Sequence, residues 1–400
     1  MTVKAPITGE SWRANLQQAF SIFNRNRHFL FSAYQDADAL GTMLSLALYL
    51  QVTGKQVALF LPVPLKTNLV FLREMIHHND IRLVAREEDL VSLQTQIDTV
   101  VFCDTANAAL VPYEATLTRC FLEKGAAVIE IDHHFGTDSA AIAEGGVHLF
   151  REANACTEIA AEILQEYHRR HPEYPHPFEY RNIVVSLLTG LLADTGGGNE
   201  VFSRKDFEHW SGLLGGYLKG KTRSFPSRES RNGSGKIFGN AGEITAHLHH
   251  LSPQQQSCIR ELRKHIVRHR DIGELNMLNS SLARFPGDMS NGDSGNFSQI
   301  WDYMANVIPQ EGGKLGLFYF NGTHSGKQDC IFLKIRRAGD FNKYDLRETE
   351  PALKNTFAGD YMGGGGHAGA VSFRIRPMSD REFLPKVAQM IRFLEEQIHE

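Results

Sequence analysis

The stretch AAVIEIDHHFG, residues 126–136, carries an apolar run and then delivers one acid and two histidines in succession, Asp132, His133 and His134. Gly125 and Gly136 bracket it, so AAVIEI (126–131) reads as a buried strand. In a parallel sheet, ligands bind at the carboxyl ends of the strands. One histidine at such a place solvates a loop. An Asp-His-His triplet leaving an apolar strand reads as part of a site, and it needs partners elsewhere in the chain.

Working outward, the first half alternates short apolar runs with helical patterns. HFLFSAY (28–34), QVALFLPV (56–63), IRLV (81–84) and DTVVFCD (98–104) read as further strands. ALGTMLSLALYLQ (39–51), LVFLREMI (69–76), a segment around 113–123, NACTEIAAEILQEYHRR (154–170) and RNIVVSLLTGLLAD (181–194) read as helices. Strands separated by helices imply parallel crossovers, hence an α/β domain with a parallel sheet and helices on both faces.

Beyond about residue 215 the texture changes. KTRSFPSRESRNGSGK (221–236) and SSLARFPGDMSNGDSG (280–295) read as irregular connections, with a helix at 254–272 between them. Strands return at LGLFYFNG (315–322), DCIFLKIRR (329–337) and AVSFRIRP (370–377), with a final helix near 381–397. Three segments are expected: an α/β domain over 1–214, a connector or insertion over 215–310, and a smaller α+β domain over 311–400, with a cleft between the two domains.

Four hundred residues exceed one compact core, and 42% apolar with 22% charged residues is ordinary for a globular protein. A net charge of −4 argues against a broad surface for long duplex nucleic acid. The five cysteines are scattered, without a CxxC pair, and fit a reducing compartment better than a disulfide framework or zinc site. No signal-peptide pattern opens the chain and no run approaches the ~20 apolar residues of a membrane span. The expected compartment is the cytoplasm. The sequence leaves a homodimer open.

Partners for the triplet stand at three other element ends. QDADALG (35–41) places Asp36 and Asp38 before a helix; one acid suffices as an N-cap, a role open to Asp38, and two exceed it. DTVVFCD ends in Asp104, and GLLADTGGG (190–198) places Asp194 before three glycines. Each alone is a turn or cap residue. Together, five carboxylates and two imidazoles at the ends of apolar elements suit Mn2+ or Mg2+ better than zinc. A carboxylate shared by two ions, ~3.5–4 Å apart, is the arrangement of many phosphoryl hydrolases.

DADALG, VVFCDTAN, IDHH and LLADTGG, in this order, resemble the motifs of the DHH phosphoesterase family over about the first 200 residues. GGGGHAGA (363–370) resembles the glycine-rich signature of the associated DHHA1 domain, a pairing typical of oligoribonucleases and 3′-phosphoadenosine-5′-phosphate phosphatases. The resemblance implies a manganese-dependent phosphoesterase of small nucleotides. It gives Asp36 to one ion and Asp38 to the other, with Asp104 bridging, and His133 and Asp194 completing the ligands of the second ion. His134 would face the substrate phosphate or leaving group, and Asp132 would orient a histidine. Arg336 would hold a substrate phosphate, together with His367 and the backbone of Gly364, Gly365 and Gly366. Two positions depart from the pattern. Ser32 stands where the family has a histidine ligand to the first ion, so that ion should bind more weakly, use an extra water or be absent; His28, nearer the start of the strand, is too far to replace it. Lys334 stands where the family shows serine. The alternatives are a polyphosphate or pyrophosphate hydrolase, and a nucleotide-binding protein weakened by Ser32.

Overall fold

Phe29, Phe31 and Ala33 of β1 (His28–Ala33) are buried on one side and Leu30 and Ser32 on the other, leaving no face for water. That burial is why the strand reads as an unbroken apolar run: parallel strands are covered on both faces. A computed structural model of the chain describes residues 3–136, 139–220, 238–278, 294–324, 328–339 and 341–399. The expected loop 221–236 and most of the connection at 280–295 lie outside the described residues.

The elements around β1 follow in chain order: α1 (Gly9–Arg25) before it, then α2 (Ala37–Val52), β2 (Gln56–Phe60), α3 (Val70–His78), β3 (Arg82–Val84), α4 (Glu87–Leu93), β4 (Thr99–Cys103), α5 (Glu114–Leu117), β5 (Ala127–Asp132), β6 (Val147–Phe150), α6 (Cys156–Arg170), α7 (Arg181–Asp194), α8 (Arg204–Lys219) and α9 (Ala241–Leu248). The six strands pair in parallel in the order β3-β2-β1-β4-β5-β6. The order reverses between β1 and β4, which makes the carboxyl ends of those strands the topological switch point. One core cluster packs α1, α2, α6 and α7 on one face; a second packs α4 and α5 on the other. Helices therefore cover both faces, as the sequence reading expects.

The rest of the chain forms a second sheet. It comprises α10 (Pro253–Arg263), β7 (Val267–Arg268), β8 (Ile272–Asn276), α11 (Ser294–Gly312), β9 (Leu315–His324), β10 (Gln328–Arg337), α12 (Thr349–Phe357), β11 (Tyr361–His367), β12 (Ala370–Ile375) and α13 (Asp380–Gln397). The strand order is β11-β12-β10-β9-β8-β7, antiparallel except for β8 with β9. Chain contacts divide the molecule into one unit of residues 1–134 and 139–249, and another of 135–138 and 250–400.

The segment set apart as a connector, 215–310, is thus shared: its described residues up to 249 pack with the first unit and those from 250 with the second. The helix expected over 254–272 stops at Arg263, because Val267–Arg268 pairs with Glu274 and Gly273 as a short strand. The glycine run is an edge strand. A Cβ on Gly364 would lie 2.5 Å from the Ser372 carbonyl oxygen, and one on Gly366 2.1 Å from that of Ala370, so glycine is what lets β11 lie against β12.

Candidate metal centre

Asp104 follows the last residue of β4 and has φ +48°, a left-handed conformation uncommon for any residue but glycine. Its N–H donates to the Ile131 carbonyl at 2.8 Å, pinning the turn to the end of β5. His133 and His134 leave β5 directly after Asp132. Asp194 is the last residue of α7. The N-cap of α2 is Asp36, whose Oδ1 accepts the Ala39 N–H at 2.9 Å, and not Asp38. Asp38, one residue into that helix and fully buried, instead accepts the N–H groups of Cys156 and Thr157. It caps the start of α6 from another element, and the amide dipoles there favour its charge.

The polar atoms converge on His133. Its Nε2 stands 3.3 Å from Asp104 Oδ1, 3.4 Å from Asp194 Oδ2 and 3.7 Å from Asp38 Oδ2. His134 Nδ1 lies 3.4 Å from Asp104 Oδ1. Asp104, His133 and His134 form one group able to hold a cation, and Asp38, His133 and Asp194 another. Asp36 belongs to neither, although its charge reaches Asp104 and Asp194. His133 Nδ1 is 3.2 Å from the Ala153 carbonyl, which only accepts, so Nδ1 carries the proton and Nε2 faces the carboxylates. Asp104 Oδ1 and His133 Nε2 are buried without a hydrogen-bond partner among the described residues. Buried polar atoms without partners mark an absent ion or a catalytic role.

Electrostatics agree. Burial, and after it the Asp38 carboxylate, pushes Asp104 and Asp194 well above the usual carboxylate range. Burial also raises Asp36. His133 would be pulled down by burial, but Asp104, Asp194 and Asp38 outweigh that and raise it well above an ordinary histidine. Packed this closely, the acids hold protons unless a cation replaces them. An oxygen-rich set with one imidazole Nε2 aimed into it fits a divalent cation.

Residues 29–191 match the model of the DHH family, N-terminal domain. This segment is a DHH-family domain. The match concerns this segment and leaves the activity and substrate of the whole chain open. The fold is similar to that of an exopolyphosphatase-related protein from Bacteroides fragilis, at TM-score 0.66 and 15% identity over 97% of this chain and 98% of that one. RecJ in complex with Mn2+ from Thermus thermophilus also aligns, at TM-score 0.49 and 14% identity over 98% of this chain and 56% of that one. No curated protein matches the sequence.

Around the DHH triplet, Asp132 is saturated. Oδ1 accepts the N–H groups of His133 (2.8 Å) and His134 (3.2 Å) and the His134 ring Nδ1 (2.8 Å). Oδ2 accepts from the Lys4 ammonium, 128 residues away in sequence. Burial works against the Asp132 charge, but His134 and Lys4 hold its carboxyl below the usual range. Nδ1–H of His134 therefore donates to Asp132, leaving Nε2 outward on a ring about one-third exposed. Lys4 carries no sequence signal, being a lone lysine in MTVKAP. Ser32 Oγ is buried without a hydrogen bond, and His28 opens β1 at its opposite end.

The other sequence candidates lie outside the DHH domain, in the second unit. Arg336 is half-buried on β10, opposite Ala370 of β12 and Gly316 of β9. Gly364, Gly365 and Gly366 lie in β11, and the His367 side chain lies outside the described residues. Gly365 and Gly366 line a cavity of about 160 Å³ with Phe135, Gly136, Arg347 and Glu350.

Proposed function

We propose that this chain is a metal-dependent phosphoesterase of small nucleotides: short oligonucleotides, linear dinucleotides or a nucleoside 3′,5′-bisphosphate. The observation that carries it is the convergence of Asp38, Asp104, Asp194 and His133 on a buried point where Asp104 Oδ1 and His133 Nε2 have no hydrogen-bond partner among the described residues. These four side chains, with Asp36 nearby, would hold Mn2+ or Mg2+. Such ions, when bound, activate a water and screen phosphate charge. The chain's own groups do the rest. Asp38 is fixed by the α6 amides, so its position costs no rearrangement when substrate arrives. His134, its ring held by Asp132 through Nδ1–H, would turn Nε2 toward the substrate phosphate or the leaving oxygen.

The preference for nucleotides over inorganic chains rests on the second unit. The GGGGHAGA likeness to a DHHA1 signature supports it, as does an aromatic and basic sheet face. Phe320 and Phe332, both partly buried, stack at 5.3 Å, with Lys334 Nζ 5.9 Å over Phe320; Phe318 beside them is buried in the core and takes no part. Lys334 and Arg336 alternate with Ile335 on β10 and share the side that Phe332 occupies. Aromatic faces beside cations receive bases and phosphates of single strands.

A hydrolysis panel with added Mn2+ tests the reading, comparing a dinucleotide, a nucleoside bisphosphate and polyphosphate. Mononucleotide release, or phosphate release from the bisphosphate, is expected. Cleavage of polyphosphate alone overturns the substrate assignment, and no cleavage of any of the three overturns the hydrolase.

A further inference from the structure

Lys4 reaches the centre from a distant part of the chain. Val3 bridges Ala140, the Lys4 N–H donates to the Ser139 carbonyl at 3.0 Å, and the Ile7 N–H to that of Phe150 at 2.8 Å. These bonds lay residues 3–7 beside β6. The Lys4 side chain is 1% exposed. Its ammonium donates to Asp132 Oδ2 and, at 2.6 Å, to the Thr105 carbonyl, and lies 4.8 Å above the Phe150 ring. Thr105 follows Asp104, whose backbone is left-handed, and Asp132 precedes the two histidines. One cation thus ties together the turns that carry Asp104 and His134.

Lysine is almost never fully buried unless paired, and a buried ion pair is a poor way to gain stability, since apolar residues of similar size often do as well. A tether for the N-terminal segment has no need of an ammonium. Placement of a carboxylate does. We propose that Lys4 is a positioning residue of the metal centre: it fixes Asp132, and through Asp132 the ring of His134. The proposal rests on the phosphoesterase reading for its consequence in catalysis, not for its geometry.

The test is a double-mutant cycle of Lys4→Met and Asp132→Asn in the full chain, measured on whichever panel substrate is cleaved. Lys4→Met should lower kcat about tenfold or more, while KM and the Mn2+ concentration for half activation stay within about threefold, since Lys4 touches neither substrate nor metal ligand. In the Asp132→Asn background the same change should cost less than about twofold, because its target is gone. An equal penalty in both backgrounds makes Lys4 a mere tether and overturns the proposal, as does near-wild-type kcat in Lys4→Met. If Lys4→Met fails to fold for want of a partner to Asp132, the double variant, which leaves no charge unpaired, is compared with Asp132→Asn alone. Equal kcat supports the proposal and a clear drop overturns it. If the wild type cleaves nothing, the phosphoesterase reading falls by itself. Proton NMR of the His134 Nδ1–H then decides on Lys4, with Asp132→Asn in the double variant as reference. The downfield signal of the wild type should shift or vanish in Lys4→Met, and an unchanged signal overturns the proposal.

Discussion

Ser32 stands where the resemblance to the DHH motifs implies a histidine ligand. It sits near the end of β1, fully buried, its Oγ without a hydrogen bond, with Phe60 and Phe102 as its neighbours in register. A neutral hydroxyl ligates a divalent ion less well than an imidazole. Ser32→His should lower the Mn2+ concentration for half activation by about tenfold, a scale typical of a single supporting group. The larger ring should cost roughly 1–3 kcal/mol of stability through crowding. Mn2+ titration of both proteins checks it; an unchanged half-activation concentration in a folded variant means the first ion is held otherwise. At this scale, Asp104, Asp132, His133, His134 and Asp194 were legible because each ends an apolar run. What was not legible depends on distant chain. Asp36 and Asp38 look alike in DADALG, and only the amides of Cys156 and Thr157 distinguish the buried one. Lys4 acquires its role from contacts with residues more than 100 positions away.

Elements were legible in proportion to their burial. β1, β4, β5 and α7 are buried along nearly their whole length, and the structure places them within a residue or so of the expected limits. β6 escaped because VHLF is four residues with a histidine in the second place, and β11 because glycine writes no strand pattern. α2 and α7 show what glycine does inside a helix. A Cβ on Gly190 would lie 2.5 Å from Asp38 Oδ1 and 2.5 Å from Thr157 Cγ2, and one on Gly41 2.4 Å from the Ser186 carbonyl. These two helices approach the α6 start closely because the side chains are missing. Glycine to alanine in an exposed helix should stabilise by about 1 kcal/mol, as expected for Gly212→Ala in α8, where nothing lies within 4 Å. Gly190→Ala should do the reverse: a loss of about 1–3 kcal/mol from crowding and a fall in activity as Asp38 shifts. Urea unfolding of the two variants, with turnover, checks the pair. A stabilised and fully active Gly190→Ala would detach Asp38 from the centre.

Over the whole molecule, the first unit buries acids and histidines that repel or compete for protons, and that makes its stability depend on pH and on metal together. Asp104 and Asp194 have pKa values raised by burial and then by Asp38, and His133 is raised by its carboxylate neighbours despite burial. All three shifts have one consequence: the folded chain binds more protons than the unfolded one, so stability falls as pH rises. For the acids the loss begins at the ordinary carboxylate pKa, about 4, and runs up to their raised values; for His133 it begins near 6.5 and ends at its raised value. Without divalent ions, the thermal midpoint should therefore drop steadily from weakly acid to alkaline pH. A cation takes the place of those protons. With Mn2+ at about a hundred times its dissociation constant, linkage gives about 2.7 kcal/mol, or roughly 5–10 °C at alkaline pH. The same displacement should release protons on binding, visible as a buffer-dependent heat in calorimetry. The gain should shrink toward acid pH, where protons compete for His133 Nε2 and the carboxylates. A thermal midpoint that ignored Mn2+ at every pH, with no proton release, would mean that these buried groups hold no ion.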